Sequence, residues 1–279
     1  MPALDHLLAT LQLRVLVANR ALLMSGWPVA EHALPCNKIY FAYQGEGWFT
    51  LDERTLAVHP GEVNLLPAKH RNRCWQNEQN RLEKLWIHFD ARVMGLVDLF
   101  DVLPCPPSVR VSRDDGIQAL LEAMVAEARQ PSPFQSLALN GLLGQALAKI
   151  LRKAGAGSEG GQELAVRGPG DRIGSVLQFV AEHYAEALTL DDLAQVVHLH
   201  PTYFSNTFRK ATGVAPMAFL QRFRIERAKG LLATTDLAVM EVAQKVGFED
   251  PYHFSRVFKK LAGSPPSVFQ ESVRRTGGR

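Results

Sequence analysis

PTYFSNTFRKATGVAP (201–216) and PYHFSRVFKKLAGSPP (251–266) are the same phrase written twice in one chain. The letters they share are apolar or turn-forming: Phe204 and Phe254, Phe208 and Phe258, Gly213 and Gly263, and a proline at each end. The duplication extends upstream, where Asp192–Val197 aligns with Glu241–Val246 and the second copy carries one extra residue before its proline. Each copy reads as a short helix, a tight turn (His198-Leu199-His200 or Gly247-Phe248-Glu249-Asp250), and a second helix opened by proline, whose missing N–H is harmless in a first turn. That unit is a helix-turn-helix. At roughly 100° per residue, Phe204, Phe208 and Ala211 fall on one stripe, as do Phe254, Phe258 and Leu261, and these are the predicted core. The opposite face carries Thr202, Asn206, Arg209 and Lys210 beside Ser205, and in the second copy Tyr252, Arg256, Lys259 and Lys260 beside Ser255. Neither face holds an acid, whereas a helix that is only scaffold mixes acids and bases into i,i+4 pairs. Hydroxyls, amides and guanidinium groups near a helix start suit base edges, and cations further along suit phosphates.

The 279 residues, 47% hydrophobic and 21% charged, are enough for two domains with separate cores. The gly-rich stretch AGAGSEGGQELAVRGPGD (154–171) reads as a flexible linker between a domain at 1–153 and one at 172–279. Ahead of it, from about residue 12 to 111, short apolar runs (LRVLV, KIYFAY, WFTL, VNLLP, KLWIHF) alternate with turn signals (SGWP, QGEG, LDER, HPGE), predicting an all-β sandwich or barrel. Residues 117–153 change to helical spacing, broken at Gln130-Pro131-Ser132-Pro133 into two helices. The second helix is apolar around much of its circumference, so it serves either as a subunit interface for a homodimer or as a cap on the β unit. The net charge of +3 is small, but residues 171–279 hold 14 Lys and Arg against 11 Asp and Glu, so the whole excess lies in the C-terminal part.

No apolar run is long enough to span a membrane, and MPALDHLLATLQLRV, with Asp5 and His6 in its apolar stretch, lacks a basic leader. A cytoplasmic protein is expected. Cys36, Cys74 and Cys105 have no CxxC spacing and an odd count, which fits reduced thiols, with a redox or metal sensor as the alternative.

The stretch Ala238 to Lys260, followed by Gly263-Ser264-Pro265-Pro266, together with Phe219 to Leu232 between the two copies, resembles the AraC/XylS-type bacterial transcription regulators. The likeness covers about Arg172 to Val273. It implies an α+β, two-domain chain in which the C-terminal all-α domain holds one unit at about 190–212, a long linking helix at about 215–233 and a second unit at about 238–262. It also implies that both second helices enter the major groove of double-stranded DNA on one face, in adjacent turns. Carried over residue by residue, Thr202, Ser205, Asn206, Tyr252, Ser255 and Arg256 would read bases, and Arg209, Lys210, Lys259 and Lys260 would hold phosphates. Activation is the family's commoner habit, and RNA polymerase is then a partner.

The β unit resembles, through Gln44-Gly45-Glu46-Gly47, Pro60-Gly61-Glu62-Val63, Leu66-Pro67 and Trp86-Ile87-His88-Phe89, the cupin-like jelly-roll sensor domains of sugar-responsive members. A metal-dependent cupin enzyme is the rival, but it needs an HxH cluster, and the one in this chain, His198-Leu199-His200, lies in the first DNA-binding unit. His59, His70 and His88 are the remaining metal candidates in the β unit; no catalytic residue, metal or cofactor is assigned. On Leu82 to Phe89, alternation puts Lys84, Trp86 and His88 on one face and Leu85, Ile87 and Phe89 on the other. The first face either binds a small polar effector, such as a sugar, or fills the core. Trp86 matches a stacking tryptophan of the sugar-binding relatives. Lys84 stands where those relatives have a ligand-contacting His, and Gln44 where they have an Arg, so the effector is not expected to copy theirs.

Overall fold

The computed structural model describes residues 7–26, 29–103, 105–155 and 171–277. It divides into two compact units, one at Thr10–Asp171 and one that groups the residues before Thr10 with those from Arg172 onward. The expected linker falls at 156–170, and the Trp27-Pro28 part of the first turn signal at 27–28, both outside the described residues.

Among the described residues, the first unit is built on ten strands: β1 (Leu11–Leu22), β2 (Val29–Ala33), β3 (Asn37–Gln44), β4 (Gly47–Leu51), β5 (Arg54–Val58), β6 (Glu62–Leu66), β7 (Arg71–Gln76), β8 (Glu83–Val93), β9 (Val97–Asp98) and β10 (Ser108–Arg110). One antiparallel sheet runs β1-β8-β3-β6-β10 with β9 on β8, and a second runs β2-β7-β4-β5. Their facing sides share a core of Tyr40, Ala42 and Leu66 from the first sheet and Phe49, Leu51, Val58 and Cys74 from the second, with Trp86 packed against it. This is the two-sheet, all-antiparallel form of the expected jelly roll. The strands at β2, β5 and β7 lack a strong apolar run, which is why composition alone passes over them; RNRCWQ on β7 alternates exposed Arg with buried Asn, Cys and Gln.

After a one-turn helix, α1 (Leu99–Val102), the unit closes with α2 (Ile117–Ala128) and α3 (Gln135–Lys153). They cover the outer side of the first sheet, burying Leu121, Met124, Val125, Leu143 and Leu147. The buried outward row of the sheet is Leu85, Ile87 and Phe89 on β8 with Ile39 and Phe41 on β3. A register shift in β1 between Val15 and Val17 frees a backbone donor, and the Val15 N–H meets Asn140 Oδ1 of α3 at 3.1 Å. Tyr43 Oη donates to Glu122 Oε1 of α2 at 2.8 Å, fixing the other end of the layer. One face of α3 is buried, while Phe134 and Leu137 near its start stand 71% and 75% exposed.

The second unit is all-helical: α4 (Asp171–His183), α5 (Leu190–Gln195), α6 (Pro201–Thr212), α7 (Pro216–Thr234), α8 (Val239–Lys245), α9 (Pro251–Ala262) and α10 (Pro266–Gly277). α7 buries residues around its whole circumference, because it belongs to two cores in succession. Its first half gives Phe219, whose ring lies 5.7 Å from that of Phe208, and Phe223, 5.3 Å from Tyr184. Its second half gives Ile225, Ala228 and Leu232 to a cluster with Val242, Ala243, Val246, Phe248, Phe254 and Phe258. Arg224, midway, donates from Nε to Tyr184 O at 2.7 Å and from Nη2 to Glu186 O at 2.6 Å, tying the end of α4 to the hinge between the two cores. Burial holds its guanidinium pKa below the usual value without threatening its charge.

Candidate DNA interface and effector site

The two helix-turn-helix units, α5–α6 and α8–α9, are closed by the same devices. Each second helix starts with proline and ends at a left-handed glycine, Gly213 or Gly263. At the helix start, the Tyr252 N–H donates to Asp250 Oδ1 at 2.8 Å, whereas in the first unit the Thr202 N–H reaches His200 Nδ1 at 3.4 Å, a weaker cap. His198 and His200, the HxH pair, are exposed turn residues of this unit. The buried stripes are Phe204 and Phe208, and Phe254 and Phe258, as the spacing predicts. The expected third member of the first stripe, Ala211, is only half-buried; Thr212 is buried instead, its Oγ1 donating to Phe208 O at 2.9 Å, which lets a hydroxyl sit in the core.

Position by position, Pro201–Lys210 and Pro251–Lys260 show one and the same sequence of exposure classes. Thr202, Asn206, Arg209 and Lys210 are exposed, and so are Tyr252, Arg256, Lys259 and Lys260, while Ser205 and Ser255 are half-buried at the edge. Neither helix carries an acid in its first turn. No ion pair among the described residues engages Arg209, Lys210, Arg256, Lys259 or Lys260. Five cations thus stand in two matched arrays, available to an anionic partner. Tyr203 and His253, one position beyond Thr202 and Tyr252, are equally exposed and belong to the same surfaces. Assigning only the pole of the helix opposite the Phe stripe misses them, since they stand about 100° to its side.

In the first unit, the alternation on β8 holds, but both faces are covered. Register pairs Tyr40 with Trp86, Lys38 with His88 and Ala42 with Lys84, so β3 and β8 build one inward surface. Tyr40 also pairs with Asn64 of β6, and Lys38 with Leu66. Lys84 is 3% exposed, with its Nζ 3.4 Å from the centroid of the Tyr40 ring, a cation–π contact. Burial lowers its pKa to about 7, and burial together with Lys38 and Lys84 lowers His88 to about 4, so that imidazole is neutral at pH 7. Trp86 and His88 are half-buried. Gln44 is not brought into this group: a register shift after Ala42 leaves it exposed at the strand end, its Nε2 donating to Glu83 Oε2 at 3.1 Å. The residues missing from the sequence reading are Lys38, Tyr40 and Asn64. KIYFAY shows Lys38 and Tyr40 on one face, but nothing in it names β8 as the neighbour.

His59, His70 and His88 do not form a metal cluster; among the described residues no three His, Cys, Asp or Glu side chains gather in that way. His70 Nδ1 lies 2.7 Å from Asp52 Oδ2 in a turn contact. Cys36, Cys74 and Cys105 are buried free thiols, and burial pushes Cys105 up to about 12, far from a reactive thiolate. Among the described residues, no helix is long and apolar enough to cross a membrane.

Comparison with known proteins agrees with this geometry. A helix-turn-helix domain profile matches residues 193–272, and an AraC-like ligand binding domain profile matches residues 26–147. The Msm operon regulatory protein of Streptococcus mutans is 23% identical over 241 residues, 85% of this chain and 84% of that relative. The HTH-type transcriptional regulator YisR of Bacillus subtilis is 36% identical over 98 residues, 35% of this chain and 34% of YisR. The arabinose operon regulatory protein of Escherichia coli is 37% identical over 101 residues, 36% of this chain and 35% of that protein. The last two matches thus span about a third of each relative's length. Among solved structures, the DNA-binding domain of AdpA in complex with a target DNA is 32% identical, with 36% of this chain and 91% of that one covered and a TM-score of 0.36. The chain thus matches an AraC-like ligand binding domain followed by a helix-turn-helix domain, and it is similar to transcription regulators in both parts.

Proposed function

We propose that this regulator reads one DNA site with both helix-turn-helix units and is controlled by a small polar effector held inside the β-sandwich. The observation that carries the DNA reading is the matched exposure of α6 and α9 combined with their different outward groups. Thr202, Ser205 and Asn206 face one stretch of bases, and Tyr252, Ser255 and Arg256 another; Arg209, Lys210, Lys259 and Lys260 hold the phosphates on either side. Arg256 is the group best suited to a guanine edge, so the second unit contributes more sequence preference than the first. The effector is assigned to the inward surface of Lys84, Trp86 and His88, with Gln44 set aside because it faces outward.

Two chains act together through α2 and α3, a reading supported by Phe134 and Leu137, two large apolar side chains exposed beside the buried face of α3. Effector binding favours one of two states of the sensor, and only its difference in affinity for them moves the equilibrium. Activation, with RNA polymerase as partner, follows the family's commoner habit. Selection of duplexes from a random pool by the full chain tests the DNA reading. The expected product is two short conserved boxes with centres about one helical turn apart; enrichment of no sequence, or of a single box, overturns it.

A further inference from the structure

The end of α3 shapes a cavity that neither the DNA reading nor the sandwich interior uses. In LAKILRK (147–153), Lys149, Arg152 and Lys153 stand at i, i+3 and i+4, so three cations share one face of the helix. Together with Asp115 and Ile117, which precede and open α2, they line a cavity of about 310 Å³, the size of a small-ligand pocket. Like charges at this spacing repel one another. A helix C-terminus favours cations, but only within its last turn, which accounts for Arg152 and Lys153 and leaves Lys149 unexplained.

The charges in the lining do not balance. Asp115 is its one acid, and that carboxylate is already engaged: Oδ2 accepts the Ser112 N–H at 2.7 Å and lies 3.1 Å from Lys153 Nζ. The Ser112 N–H and then Lys153 hold its pKa below the ordinary carboxylate value. Lys149 Nζ donates to the backbone oxygen of Asp115 at 2.9 Å, a dipole and not a counter-charge. Arg152 is exposed, and its guanidinium has no hydrogen bond or ion pair among the described residues. The first turn of α2 adds no acid. Three cations against one carboxylate leave a surplus of two positive charges around one cavity. A phosphate dianion or monoester carries about −1.5 to −2 at pH 7 and answers that surplus; a carboxylate, or one phosphodiester of a DNA strand, answers half of it. Ile117, 1% exposed, supplies an apolar wall.

We infer that this cavity binds a phosphate group, free or carried by a small molecule, with the Arg152 fork on two of its oxygens and Lys149 on a third. The site is separate from the sandwich interior and from α6 and α9, and it stands or falls independently of both.

The test is calorimetry on the full chain at pH 7 and constant ionic strength. Inorganic phosphate and glucose 6-phosphate are the probes, glucuronate the singly charged control and glucose the uncharged one. At least one phosphate is expected to bind with a Kd below about 1 mM and at least tenfold more tightly than glucuronate. Glucose 6-phosphate ahead of inorganic phosphate identifies a monoester as the ligand; equal affinities identify free phosphate. Arg152→Ala removes an exposed side chain without a partner to lose, and it is expected to weaken phosphate at least tenfold, as is Lys149→Ala, while Lys259→Ala on α9 leaves phosphate unchanged. No binding of either phosphate, glucuronate binding equally well, or phosphate binding that survives Arg152→Ala overturns the site. Loss of phosphate in Lys259→Ala with retention in Arg152→Ala moves the anion to the DNA-reading helices and overturns it as well. So does a chain that binds no small phosphate while Arg152→Ala weakens duplex binding, since the cations then serve the DNA backbone.

Discussion

At the scale of single residues, Arg256 and Lys259 stand one turn apart on α9 with different consequences. Arg256→Ala is expected to cost about 1 to 3 kcal/mol and to relax preference at one base position, whereas Lys259→Ala weakens all sequences alike and lowers the salt slope by about one. Competition binding against single-base operator variants, repeated across salt concentrations, separates the two. Lys84 makes a thermodynamic prediction of its own. Its pKa falls from 10.5 unfolded to about 7 folded, so between those values the unfolded chain binds more protons. Stability therefore rises with pH from about 7 to 10.5, by at most about 1.4 kcal/mol per unit from this one group. The penalty is fully present below pH 7. The groups that face it include Lys38 and Tyr40 on the neighbouring strand, Cys74 on the facing sheet and His88 on its own strand. Lys84→Met is expected to raise the stability of the unliganded chain at pH 7 and to flatten the alkaline slope in denaturant titrations; a variant less stable than wild type contradicts the assignment.

At the scale of elements, the two turns show how a repeat diverges. Gly247 has φ +83°, and a Cβ there would lie 2.7 Å from Ala185 O, so Gly247→Ala meets both a forbidden backbone and a collision. The aligned residue in the first copy is His198, which adopts φ +52° without being glycine. His198→Gly is expected to stabilise the chain by about 1 kcal/mol, and Gly247→Ala to destabilise it by more; thermal unfolding of both variants measures the contrast. The duplication was legible because two copies of the Phe spacing check one another, and in the first unit the break between α2 and α3 was legible from its prolines. The effector surface was legible only in part. Lys84, Trp86 and His88 declare a shared face by alternation, but Lys38 and Asn64 reach that face from strands more than fifteen residues away in sequence, through register that no local pattern encodes. Gln44 entered the candidate site through the family resemblance alone, and the register shift after Ala42 that leaves it exposed is visible only in the paired strands.

At the scale of the whole molecule, the exposed apolar pair on α3 is the feature a lone chain does not explain. Leu137→Glu is expected to convert a dimer to monomer in light scattering at micromolar concentration and to weaken binding to a site holding two half-sites while sparing a single one; a monomeric wild-type chain, with and without DNA, sinks the reading. The linking helix α7 has the wider consequence. Nineteen residues at 1.5 Å each make a rod of about 28 Å, and because its two halves are embedded in two cores, it has no slack with which to lengthen or turn. Each base pair inserted between the two boxes of a site advances the second by about 3.4 Å and rotates it by about a tenth of a turn. A promoter under this regulator is therefore free to drift in its letters and held fast in its punctuation: point changes weaken it by degrees, while a single inserted base pair silences it.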